Sequence, residues 1–447
     1  MTTSATPRLA DGLARALGRI GMAAPTGLER LSGGANMESW RFNAGGEDCV
    51  LRRAPSLEMM TGRALDHHGE AALIRAAQSA GVTAPEVLVE LTPEDGIGSG
   101  FVMRRLPGTP EPAAILKTED PAALLADLAQ ELAAIHRIPT AGLSAPVMDT
   151  AAALADLKAR FSDYGGDRPI LALALRWLER NLPTAAEPRL VHGDFRLGNL
   201  LVEHGRLSGV LDWELAHLGD PHEDLAYGCM TVWRFSRPDR PALGLGSVAA
   251  LAAAYTAAGG AAFDHTRFRF WLIYRTFWWA LGCLQMGEMW RRGIDRSVER
   301  VVVARRTAEQ ELDLLLLLEE HAPATERARK LSAAAPALVP SHGEPSAAEI
   351  LTAVSEWLAS DIKPLVNGRG KFDLAVARNA LGIVTRELDQ RPLASDAALA
   401  ADLLSGAADL TTPGMLARLR RLALDKLTAD MPKYPALAAA RALWEGP

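Results

Sequence analysis

The sequence predicts an α+β protein: a small strand-rich lobe, then a mainly helical one, then a small all-helical domain. Three observations carry this. Short β-branched and apolar runs crowd the stretch from about Leu28 to Phe101. Ala- and Leu-rich runs at helical spacing dominate after the break at Pro107-Gly108, and a weakly patterned Ala/Pro-rich stretch near 325–344 precedes a further set of helical runs.

Residues 1–27 lack the long apolar run of a signal peptide, and Asp11 fits poorly in a transit peptide, so this segment reads as a surface helix. Within 28–108, LERLSGGANMESWRFNA reads as two strands around a turn at Gly33-Gly34, and CVLRRA as a third. HHGEAALIRAAQSAG is a helix that stops at Gly81, and GFVMRR is a further strand before Pro107. Across 109–324, PAALLADLAQELAAIHRI opens the helical part. RLVHGDF, NLLVE and LSGVLDW interrupt it with short strands on polar turns, HGR being the last, before helices resume through FRFWLIYRTFWWALGCLQMGEMW and TAEQELDLLLLLEEH. A linker is expected at 325–344 and a separate helical domain, without catalytic clusters, at 345–447.

Composition narrows the function. The chain has 447 residues, 49% hydrophobic and 23% charged, enough to bury a large core. A net charge of -6 with scattered Lys and Arg argues against a nucleic-acid partner. Cys49, Cys229 and Cys283 are far apart and form no CxxC or Cys/His spacing, so neither a disulfide framework nor a zinc site is indicated, and a reducing, cytoplasmic location is expected. The most apolar stretch, Phe270 to Leu284, contains Arg275 and falls short of the roughly 18 apolar residues a membrane span needs.

The strongest chemical signal is HGDFRLGNLL, from His192 to Leu201, followed by LDWE. It sets Asp194, an Asn five residues later at Asn199, and a second carboxylate, Asp212, in the order protein kinases use for catalytic base and metal ligands. Phosphoryl transfer needs a carboxylate to orient and deprotonate an attacking hydroxyl, and hard oxygen ligands for Mg2+ on the nucleotide phosphates. Asp194 suits the first task, Asn199 and Asp212 the second. By analogy with the kinase histidine that packs under the catalytic loop, His192 is expected to organise that loop rather than to serve as a metal ligand or an acid/base. Glu214 and Asp224 are further carboxylates nearby in sequence, Asp224 reading as a helix N-cap.

HGDFRLGNLL followed by VLDWELAHLGDPHEDLAY resembles the aminoglycoside phosphotransferase family, especially the phosphotransferase-like domains associated with acyl-CoA dehydrogenases. The resemblance covers roughly Leu28 to Glu320. It implies a bilobal, protein-kinase-like fold and a kinase that uses ATP and Mg2+, with GTP not excluded, to phosphorylate a hydroxyl-bearing small molecule. It also implies that Asp194 is the base, Asn199 and Asp212 the metal ligands, and Asp220 a brace for the catalytic loop.

On the nucleotide side, Gly33 and Gly34 would let backbone N–H groups approach the phosphates. Arg52 stands in VLRRA where kinases carry a phosphate-pairing lysine, with Glu70 on the next helix as its natural partner. Met103, Arg104 and Leu106 fall where the kinase fold holds adenine. Trp271, Trp278, Trp279 and Trp290 either wall the acceptor pocket or belong to the core.

Trp, Phe, Met and Arg in the late helices, including Arg291, Arg292 and Arg296, together with the resemblance, favour a hydroxylated acyl or CoA-linked acceptor over a polycationic aminoglycoside. The alternative from another class is a non-catalytic pseudokinase that binds a nucleotide or metabolite, motivated by Arg52. A protein kinase proper is disfavoured because no DFG or APE segment follows Asp212. The oligomeric state is not specified by the sequence.

Overall fold

The computed structural model of the chain describes residues 5–31, 37–60, 63–332, 343, 345–388 and 396–446. Gly33 and Gly34 lie outside the described residues, as does most of the stretch 333–344.

Five strands form one antiparallel sheet in the order β1-β2-β3-β5-β4, with β1 Thr26–Arg30, β2 Glu38–Ala44, β3 Glu47–Ala54, β4 Val87–Glu90 and β5 Ser99–Arg104. Strands β2 and β3 pair from Glu38↔Arg53 to Ala44↔Glu47, placing Arg52 opposite Ser39 on one side and Phe101 of β5 on the other. Strand β4 is an addition to the sequence reading. VLVE, bounded by Pro85 and Pro93, is too short to show its alternation, and only pairing with β5 defines it.

The N-terminal helix α1, Ala5–Gly18, is present and does more than cover the surface. Its apolar residues Leu9, Leu13, Ala16 and Leu17 are buried with Phe42, Leu51, Ile97 and Val102 in one cluster, so the helix closes one face of the sheet. Helix α2, His67–Ser79, starts where the Asp66 carboxylate accepts from the Gly69 N–H at 2.7 Å, and the chain leaves it through Gly81 at φ 84°, the expected stop.

Beyond the sheet the helix Pro121–His136 forms as expected, followed by four short strands: β6 Arg189–Val191, β7 Leu200–Glu203, β8 Arg206–Val210 and β9 His217–Gly219. Strands β7 and β8 form a hairpin whose turn residues His204 and Gly205 both have positive φ, 49° and 76°, as a tight two-residue hairpin requires. Strand β9 pairs with β6 and, at three residues, left no periodic signal in the sequence.

The chain divides into two compact units, 1–150 with 184–268 and 151–183 with 269–447. The sheet, β6–β9 and the described catalytic, metal and nucleotide candidates inferred from sequence belong to the first, whereas the candidate pocket tryptophans belong to the second. In the second, the helix Pro169–Arg180 packs on Ala397–Ser405, and Thr307–Leu318 packs on Met415–Asp430. Trp271 in this unit is fully buried against Phe270 and Tyr274 and so belongs to the core, whereas Trp278 and Trp290 are half-buried beneath the guanidinium groups of Arg275 and Arg296. Among the described residues no helix is long and apolar enough to cross a membrane.

Candidate active site

The loop that carries Asp194 begins where β6 delivers His192 into the interior. The next residue, Gly193, sits at φ 80°, and a Cβ there would lie 2.4 Å from the Leu215 carbonyl oxygen, so only glycine fits this turn. The Asp194 N–H donates to His192 Nδ1 at 3.2 Å, and His192 Nε2–H donates to the Leu211 carbonyl at 3.1 Å. Burial pushes the His192 pKa down against the pull of Asp224 and Asp194, so the ring is neutral with its proton on Nε2. The ring thus links the Asp194 backbone to the chain at Leu211.

What ties the loop down is Asp224. Its Oδ2 accepts from the His192 N–H at 2.7 Å and its Oδ1 from the Gly193 N–H at 2.8 Å, while His136 Nε2–H reaches Oδ2 at 3.1 Å. His136 Nδ1 lies 2.7 Å from the Tyr255 hydroxyl. This corrects the N-cap reading: the N-cap of the helix His222–Tyr227 is Pro221, and Asp224 lies inside that helix with its carboxylate turned to the loop. Asp220, expected to brace the loop, bonds His222 Nδ1 at 2.9 Å and Arg267 Nη1 at 2.9 Å, joining the start of this helix to the residues after 264.

Burial alone would raise the Asp224 pKa, but the hydrogen bonds from the His136 side chain and the His192 backbone outweigh it and hold the group below the ordinary carboxylate range. Asp224→Ala strands two backbone donors in the interior and is expected to cost at least about 3 kcal/mol. Because the folded pKa is depressed, this stability is present in full above the ordinary carboxylate range and is lost as pH falls through the depressed value. Denaturant unfolding of both proteins between neutral and acid pH should show a gap that narrows on acidification.

Asp194 and Asn199 meet directly. Asn199 Nδ2 donates to Asp194 Oδ2 at 2.6 Å and to the Asp194 carbonyl at 3.0 Å, and the Asn199 backbone is fixed by bonds to Arg196 and Leu211. With the amide nitrogen spent on Asp194, Asn199 Oδ1 is the atom left to meet a cation. Arg196 went unremarked in the sequence. Its Nε donates to Asp194 Oδ1 at 2.9 Å, and its guanidinium lies 4.5 Å from the centre of the Trp233 ring.

Asp212, just past β8, adopts φ 66°, a left-handed conformation uncommon for a residue with a side chain and often found at functional sites. Arg52 reaches it: Nη2 lies 2.7 Å from Asp212 Oδ1 and 2.8 Å from Glu214 Oε2, and Nε lies 3.1 Å from Glu70 Oε1. The inferred Arg52–Glu70 pair is therefore present, but in a larger cluster that Arg63 joins through Glu214 at 3.1 Å. Burial opposes the charge on Arg52, and the three carboxylates more than offset it, holding its pKa above the ordinary arginine value. Burial pushes Glu70 up to about 7, with Arg52 pulling against it and Asp212 and Glu214 adding to it. Three carboxylates face two guanidinium groups, and burial raises the pKa of Glu214 as well as that of Glu70.

At the C-terminal end of β5, an interior strand, Met103 and Arg104 lie opposite Val50 and Cys49. The Arg104 N–H donates to the Glu86 carbonyl at 2.8 Å and the Arg105 N–H to the Asp48 carbonyl at 2.9 Å. The Arg104 side chain pairs with Glu47 and Glu86, and Leu106 packs near Gly209 of β8.

Comparison with known proteins agrees with this arrangement. Residues 27–271 match the model of the phosphotransferase enzyme family. Acyl-CoA dehydrogenase family member 10 of Mus musculus is 30% identical over 225 residues, covering 47% of this chain and 21% of that protein. Acyl-CoA dehydrogenase family member 11 of Gallus gallus is 29% identical over 236 residues, covering 49% of this chain and 30% of that protein. The matched segment thus spans less than a third of these curated relatives. Among solved structures, the aminoglycoside phosphotransferase APH(4)-Ia in ternary complex with AMP-PNP and hygromycin B superposes with a TM-score of 0.50 at 19% identity, over 71% of this chain and 99% of that one, a likeness of fold. The chain belongs to the phosphotransferase enzyme family.

Proposed function

We propose that this enzyme uses Mg2+ and ATP, with GTP not excluded, to phosphorylate a hydroxyl on a small acyl or CoA-linked metabolite. The observation that carries the reading is the contact between Asn199 Nδ2 and Asp194, which fixes a carboxylate and aims an amide oxygen away from it. Among the described residues no three His, Cys, Asp or Glu converge as a closed metal cage. One carboxylate, Asp212, with one amide oxygen, Asn199 Oδ1, is the sparse donor set that suits Mg2+, which takes its remaining ligands from phosphates and water. Bound there, Mg2+ would neutralise phosphate charge during transfer.

In this reading Asp194 accepts the proton of the attacking hydroxyl and orients that oxygen. Arg196 holds the Asp194 carboxylate in place, and His192 with Asp224 fixes the loop that presents it. Arg52, oriented by Glu70, supplies a guanidinium to the nucleotide phosphates in place of the usual lysine. Gly33-Gly34 is assigned to the phosphates and the backbone of Met103 to Leu106 to the adenine. Because the N–H groups of Arg104 and Arg105 are already engaged, that recognition falls to the remaining backbone atoms there. The acyl or CoA-linked acceptor rests on the acyl-CoA dehydrogenase names of the relatives. We assign a cytoplasmic location, which the three buried free cysteines support, and read 345–447 as a C-terminal helical domain that packs within the second compact unit. Intact Asp194, Asn199 and Asp212 count against the pseudokinase alternative.

Arg52→Lys tests the nucleotide side. One ammonium cannot span Glu70, Asp212 and Glu214 together, so the exchange is expected to raise the KM for ATP by about tenfold. Unchanged kinetics in an ATP-consumption assay would remove Arg52 from the phosphate site. The acceptor class is tested by ATP consumption against pooled hydroxylated acyl-CoAs and pooled aminoglycosides. Turnover with the aminoglycosides alone would contradict the assignment.

A further inference from the structure

The second compact unit contains a cleft that the phosphotransfer reading does not use. Its volume is about 230 Å3, and Trp177, Arg176 and Arg180 of the helix Pro169–Arg180, together with His321, Asp409 and Leu410, are among its lining residues. An apolar cavity of about 150 Å3 holds benzene, so this one has room for a six-membered ring with a head group attached.

Its chemistry is divided. Leu173, Leu318 and Leu410 supply apolar surface, and the Trp177 and His321 rings meet at 6.0 Å between centroids, with Trp177 Nε1–H donating to His321 Nε2 at 3.0 Å. That bond makes His321 Nε2 an acceptor, so the ring is neutral. Burial and the charge of Arg269 push its pKa down in agreement. The Arg269 guanidinium stands 5.9 Å from the Trp177 ring centre.

The charged lining is unbalanced toward positive, with Arg176 and Arg180 one helical turn apart on a single face against the one carboxylate of Asp409. Asp409 is largely committed to its own loop, its Oδ1 accepting from the Thr411 N–H at 2.8 Å and the Thr411 hydroxyl at 2.5 Å. Arg176 donates to a neutral acceptor, the Leu403 carbonyl at 3.3 Å, and Glu179, beside Arg180, is taken by Lys158 at 2.6 Å. The guanidinium charges in the cleft are thus only partly met.

We propose that this cleft binds a small flat-bodied anion, an aromatic carboxylate or an aryl phosphate. Its ring lies against Trp177 and the leucines, and its anionic head takes bonds from Arg180 and Arg176. Such a ligand would join the helix Pro169–Arg180 to the loop at Asp409–Thr411, a contact between the helical part of the family fold and the C-terminal helices. The inference does not depend on the identity of the phosphoryl acceptor.

The test is calorimetric titration of the full chain with benzoate and with phenyl phosphate, using benzyl alcohol and inorganic phosphate as controls. Saturable binding of at least one aromatic anion is expected, and the preferred one identifies the head group. Arg180→Gln, at an exposed position that does not endanger folding, should weaken binding by about tenfold, as should Trp177→Leu, while Asp409→Asn should tighten it. Thermal melting checks that each variant is folded. The proposal is overturned if neither anion binds, if Arg180→Gln leaves the affinity unchanged, or if benzyl alcohol or inorganic phosphate binds as tightly as the aromatic anions.

Discussion

Asp194→Asn is expected to lower kcat by about a thousandfold or more while leaving nucleotide affinity within about twofold of the parent. The amide has nearly the shape of the carboxylate and keeps one oxygen to accept from Arg196, its NH2 giving up the bond from Asn199 Nδ2, while the backbone bonds of His192 and Gly193 to Asp224 hold the loop and the proton acceptor is lost. That separation of turnover from binding is the signature of a base. If Asp194 were only a turn residue, the same exchange would leave turnover intact, and if it were a metal ligand, nucleotide affinity would fall with turnover. Initial rates of ATP consumption together with ADP titration distinguish the three.

The second large effect is expected at Asp212. Asp212→Asn should abolish the Mg2+-dependent part of nucleotide binding and with it turnover, while leaving the fold intact because the residue sits at the end of β8 with its side chain 27% exposed. The variant also frees one contact of Arg52, which keeps Glu70 and Glu214. Metal-free nucleotide binding is therefore expected to survive, and a titration of ADP with and without Mg2+ separates the two contributions. Loss of binding under both conditions would place Asp212 in the packing of the site rather than at the metal.

The frame of this site was legible because phosphoryl transfer demands few residue types in a fixed order. Asp194, Asn199 and Asp212 lie close together in sequence, on strands and turns whose glycine and polar residues are local signals. Arg52 and Glu70 were paired across 18 residues because each had an assigned place in the fold, and the ion pair is present. The braces were harder to see. Asp224 lies 31 residues beyond Gly193, inside a helix, and its role comes from tertiary contact with two backbone N–H groups. An ionisable residue followed by Leu225, Ala226 and Tyr227, all buried, is the one hint of it in the sequence, since a buried carboxylate needs partners. Glu214 and Arg63 complete the Arg52 cluster across 151 residues, a contact that helical or strand periodicity does not encode. The short strands β4 and β9 were missed for the related reason that pairing, not pattern, defines them.

The most direct test of the account is the thermal stability of the protein titrated with ATP in the presence and absence of Mg2+, for the parent and for Asp212→Asn. The account predicts a rise in melting temperature that is larger with Mg2+ in the parent, and a response in the variant that Mg2+ does not change. No Mg2+-dependent shift in the parent, or an undiminished one in Asp212→Asn, would contradict it.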